Sequence, residues 1–60
     1  MKSKTTKVGN YIVRIIYDYH RNMYIGKFDG TSIPNVYGDT ERELYQEINE
    51  AIDKHEEREK

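Results

Sequence analysis

The sequence predicts an α+β fold of β-β-β-α order, a three-stranded antiparallel sheet followed by one C-terminal helix packed on one face. Three observations carry this expectation. Two runs of β-branched and aromatic residues, YIVRIIY and MYIGKF, are separated by a turn-forming segment. A Gly-Asp-Thr junction then reads as a helix start, and an apolar stripe with helical spacing follows it.

Residues 1–7 (MKSKTTK) are polar, lysine-rich and without periodicity, so they read as a flexible arm before a single domain over residues 8–60. In the first run the odd positions Tyr11, Val13, Ile15 and Tyr17 are all apolar or aromatic, and this face is expected to meet the core. DYHRN supplies turn formers, and MYIGKF returns as the second strand of a hairpin. Pairing Tyr17 with Tyr24, Ile15 with Gly26 and Val13 with Phe28 turns Phe28 inward and Lys27 outward; a slip of one residue would reverse both. Gly26 then lies on the core side, where a missing side chain lets a helix come close.

Asp29-Gly30 marks a turn, and Pro34 cannot donate to a ladder, so Ile33 to Tyr37 is expected to form only a short third strand at an edge. Thr40 is a good N-cap, Glu43 completes a capping box, and Glu41 suits the positive end of the helix dipole. Leu44, Ile48, Ala51, Ile52 and His55, flanked by Tyr45, form one apolar stripe. Beyond Ile52 nearly every residue is charged, which predicts fraying.

Sixty residues leave room for one small core, and with no cysteine neither disulfides nor thiolate metal sites can brace it. Self-association is the expected source of the missing stability. No run approaches the roughly 20 apolar residues of a membrane span and no apolar signal core follows the first lysines, so a cytoplasmic location is expected. Net charge is −1, yet residues 1–38 carry six basic and two acidic groups, and residues 39–60 carry four basic and nine acidic ones. Such a polarity can steer a charged partner or orient two copies.

Catalysis needs converging groups, and the sequence offers few. His20 falls in a turn and His55 on the last amphipathic turn of the helix, neither with an evident companion. Asp18, Asp29 and Asp39 all stand where turns and caps favour aspartate, and no phosphate loop, zinc spacing or nucleophile motif is present. The expectation is a protein with no catalytic residues, no metal and no cofactor. Six of the seven aromatic residues are tyrosine, the side chain that joins a large apolar body to a polar tip and is enriched in interfaces. Ile12, Arg14, Ile16, Met23, Ile25 and Lys27 fall on the sheet face that one helix cannot cover. Ile12, Arg14, Ile16, Met23 and Ile25, with Tyr19 in the turn and Tyr37 beside the edge strand, are therefore the candidate dimer or partner interface. A single-stranded nucleic acid could stack on the basic half, but the acidic helix and the lack of a basic cluster disfavour it.

Taken together, Tyr11 to Asp18, Tyr24-Ile25-Gly26, Pro34 and Gly38-Asp39-Thr40, followed by Glu43, Leu44, Ile48 and Ala51-Ile52, resemble the N-terminal domain of HicB-type antitoxins over about residues 10–53. The resemblance implies a partial ribonuclease-H-like fold that lacks nuclease residues and works by occluding a small basic ribonuclease toxin. Two departures accompany it: Asn35 and Val36 stand where the family's proline loop has its second glycine, and the chain ends on its first long helix, without the family's DNA-binding module. The expected function is inhibition of a protein target, a toxin or a defence enzyme, by a non-catalytic homodimer that masks its active surface. The alternatives are a phage-encoded inhibitor of a bacterial defence system and a small single-stranded nucleic-acid-binding protein.

Overall fold

The computed structural model describes residues 3–58 and has the element order β1 (Ser3–Val8), β2 (Tyr11–Asp18), β3 (Met23–Phe28), β4 (Val36–Gly38) and α1 (Glu41–Arg58). The class is α+β with an antiparallel sheet and one C-terminal helix, as the sequence predicts. The sheet, however, has four strands rather than three, in the order β1-β2-β3-β4. The extra strand is most of the stretch read as an arm; Met1 and Lys2 lie outside the described residues.

The correction has a clear physical source. Ser3 to Val8 pairs antiparallel with Ile16 to Tyr11 through a two-residue Gly9-Asn10 loop, in which Gly9 takes φ 61° while Asn10 stays outside the left-handed region. Glycine in the first loop position with positive φ is the type II′ pattern, whose twist suits a tight hairpin. β1 is an edge strand, and its lysines and threonines are what an edge uses to stay soluble, so polarity there does not argue against a strand.

The β2–β3 hairpin has the expected register: Val13 opposite Phe28, Ile15 opposite Gly26 and Tyr17 opposite Tyr24. Its turn is fixed by Asp18, whose Oδ1 accepts the backbone N–H groups of His20 at 2.9 Å and Arg21 at 3.4 Å, and by Asn22 in the left-handed conformation at φ 53°. The third strand of the sequence reading is shorter and later than expected. Pairing begins at Val36, two residues after Pro34, and Ile33 is instead a loop residue whose side chain plugs the core. Thr31 holds that loop, its hydroxyl accepting the Ile33 N–H at 3.2 Å.

Helix α1 starts as its sequence dictates, with Thr40 Oγ1 accepting the Glu43 N–H at 3.2 Å. The reciprocal bond of the box is displaced by one residue, because Glu43 Oε2 accepts from the backbone N–H of Asp39 rather than from that of Thr40. The helix continues through the charged segment to Arg58, beyond the Ile52 limit expected for its ordered part. Leu44, Ile48 and Ile52 of the helix close one core with the sheet and the loop: Val13, Ile15, Phe28, Ile33, Leu44, Ile48 and Ile52 are buried together. His55 ends the stripe with its ring edge-on to Tyr11, centroids 6.1 Å apart. No helix among the described residues is long and apolar enough to cross a membrane.

Candidate binding interface

Strand alternation divides the sheet into two faces, and α1 covers one of them. The other is helix-free, and the register lays it out in rows. Ser3, Ile16, Ile25 and Tyr37 lie side by side across the four strands. Thr5, Arg14 and Lys27 form the next row, Lys7 and Ile12 the one after, and Asp18 and Met23 flank the first row on its other side. The apolar part is thus a stripe of Ile16, Ile25 and Tyr37 with Met23 alongside. Ile12 is set apart from it by the Arg14–Lys27 row.

Burial within the single chain follows this layout. Ile16, Met23 and Ile25 are half-buried by their neighbours, whereas Ile12 is 50% and Tyr37 42% exposed. Arg14 Nη2 reaches Asp29 Oδ2 at 3.2 Å, an exposed pair of small energetic weight that leaves Lys7 and Lys27 as the face's other cations. Six of the seven residues proposed from sequence, Ile12, Arg14, Ile16, Met23, Ile25 and Tyr37, share this face. Tyr19 does not.

Tyr19 lies on the helix side and belongs to a group the sequence reading did not assemble. Its ring packs against Tyr17 at 4.8 Å between centroids and 77°, and Tyr17 packs in turn against Tyr24 at 4.8 Å and 68°. The three tyrosines line an open groove floored by Ile15 and rimmed by Lys4 and Glu41, past the first turn of α1. Lys4 Nζ bridges to Glu41 Oε2 at 3.3 Å across the rim. One signal was available: Tyr17 and Tyr19 share a parity, and the predicted register sets Tyr24 beside Tyr17. Lys4 joins the group only because Ser3–Val8 forms a strand beside β2.

No family model, curated protein or solved structure matches this chain. The polar side chains that a catalytic or metal site would need are dispersed. Asp18 caps the hairpin turn, Asp29 pairs with Arg14 on the helix-free face, and Asp39 precedes the helix. His20 is exposed in the turn, and His55 packs on Tyr11. Among the described residues no three His, Asp or Glu side chains gather as a metal site would require. A second concavity, between the loop before β4 and α1, is lined by Pro34, Val36, Glu47, Glu50 and Lys54 and carries both signs of charge.

Proposed function

We propose that this chain is a non-catalytic binding protein that inhibits a protein target by masking its active surface, in the manner of an antitoxin, and that it acts as a homodimer. The observation that carries the reading is the helix-free sheet face. A four-stranded sheet covered on one side keeps Ile12, Ile16, Met23, Ile25 and Tyr37 on the other, more apolar side chain than a solvated face requires. The polarity of the chain supports a basic target, since the exposed side of α1 carries Glu43, Glu47, Glu50, Asp53, Glu56 and Glu57. The resemblance to HicB-type antitoxin domains agrees with both features.

The experiment is affinity capture from a bacterial lysate with the wild-type chain and with Tyr19→Leu and Ile16→Arg as paired baits, followed by assay of each captured enzyme. The reading expects a protein that is retained by wild type, lost with at least one variant, and inhibited in proportion to added chain up to a fixed stoichiometry. Retention without inhibition, or equal retention by all three baits, would overturn it.

A further inference from the structure

We infer that the tyrosine groove on the helix side is the docking site for a cationic anchor of the target, an arginine or lysine side chain presented by a basic protein. The inference rests on the proposed inhibitory function and assigns it a contact surface and a chemistry.

The groove arises where the sheet outruns the helix. Leu44, Ile48 and Ile52 cover the sheet around Val13 and Ile15, and the helix begins only at Glu41, so Tyr17 and Tyr24 are left half-buried at the end of the hairpin. Tyr19 extends this group into solvent, 65% exposed, with its ring packed edge-on against Tyr17. The rings meet at 77° and 68°, so they give one concave surface walls at steep angles to each other. A cation entering such a space can touch more than one ring, and the attraction of ammonium or guanidinium groups to aromatic faces strengthens as water is excluded. Arginine fits best, because its planar group stacks on rings and is weakly hydrated.

Charge completes the case. Glu41 stands at the rim with its side chain 45% exposed and already holds a cation, the Lys4 ammonium, at 3.3 Å. Lys4 thus acts as an internal stand-in for the anchor. Both members of the pair are about half exposed, so the pair is weak and an incoming guanidinium can displace it. Of α1 only Glu41 borders the groove, and its carboxylate is the negative charge that meets an incoming basic side chain.

The test uses a blocked tripeptide with a central arginine and its citrulline counterpart, which keeps the shape and removes the charge. Carbon–proton spectra of the tyrosine rings report binding to the intact chain. The expected result is saturable shifts of Tyr17, Tyr19 and Tyr24 with the arginine peptide, absent with citrulline and lost in Tyr19→Leu. Lys4→Met frees Glu41 and should tighten binding about two- to five-fold, the range set by breaking an exposed ion pair. Tyr19 and Lys4 are both exposed, so neither variant endangers folding. Equal shifts with citrulline, unsaturable shifts, or weaker binding in Lys4→Met would overturn the inference. The peptide assay needs no target, so groove binding without any inhibited protein would instead refute the proposed function alone.

Discussion

Replacing Gly38 by alanine tests how the helix is seated on the sheet. A Cβ built on Gly38 would lie 2.5 Å from the Leu44 nitrogen, 2.8 Å from its Cα and 3.0 Å from the Glu43 carbonyl carbon. These are backbone atoms of the first helical turn, so no rotamer change relieves the overlap. Ordinary contact near 3.5 Å requires α1 to retreat by about 1 Å. That movement loosens Leu44 and Ile48, both fully buried. Overpacking of this kind costs about 1–3 kcal/mol or more, and alanine's smaller unfolded-state entropy returns only about 0.4–1 kcal/mol. The net loss is about 2 kcal/mol, which in a domain this small lowers the melting temperature by roughly 15 °C. Thermal unfolding followed by circular dichroism measures it. Gly30 is the control, with open space around its Cβ position and φ 73°. Gly30→Ala should lose about 1 kcal/mol to backbone strain, and Gly30→Asn should recover most of it because asparagine tolerates the left-handed region. Gly38→Asn should recover nothing. A Gly38→Ala protein that melts within about 3 °C of wild type would refute the claim that close approach, rather than conformation, requires glycine there.

Thr40→Ala removes the hydroxyl that accepts the Glu43 N–H, and a loss of about 1 kcal/mol is expected in chemical denaturation with an unchanged slope. Ile16→Arg places a charge at the centre of the apolar stripe on the helix-free face. Light scattering coupled to size exclusion should give twice 7.2 kDa for wild type and 7.2 kDa for the variant, with the helical signal preserved. Loss of that signal would put Ile16 in the core instead. Deleting residues 1–8 uncovers the edge of β2 and should convert cooperative unfolding into concentration-dependent aggregation, read by turbidity on heating.

The elements that a single periodicity specifies were legible in the sequence. The β2–β3 register followed from the alternation of Val13, Ile15 and Tyr17, because slipping by one would have buried Lys27 and exposed Phe28. The helix start followed from Thr40 and Glu43, whose hydrogen-bonding needs are local. What escaped depends on the neighbours an element finds. SKTTKV carries no fully buried residue, with Val8 alone of its apolar side chains packed against the core, and becomes a strand because β2 offers it a free ladder. Ile33 reads as strand by type, yet its place in the loop is set by the hole it fills between sheet and helix. The candidate surface divided the same way: the helix-free face was implied by residue parity, whereas Tyr19 joined Tyr17 and Tyr24 only once the extent of helical cover was known.

The two candidate surfaces lie on opposite sides of a sheet one residue thick, and this makes their roles separable. A side chain at an even position of β2 reaches only the helix-free face, and the odd positions reach only the helix side. Ile16→Arg should therefore leave arginine-peptide binding unchanged, just as Tyr19→Leu should leave the mass unchanged. Two copies joined through their helix-free faces would form an isologous pair, with both tyrosine grooves turned outward and away from the contact. One dimer would then offer two equal cation sites. Against a target that is itself dimeric, the second contact becomes intramolecular and overall affinity rises by orders of magnitude without any new interaction. On this account Ile16→Arg weakens inhibition of a dimeric target steeply and of a monomeric one little, although Ile16 touches neither.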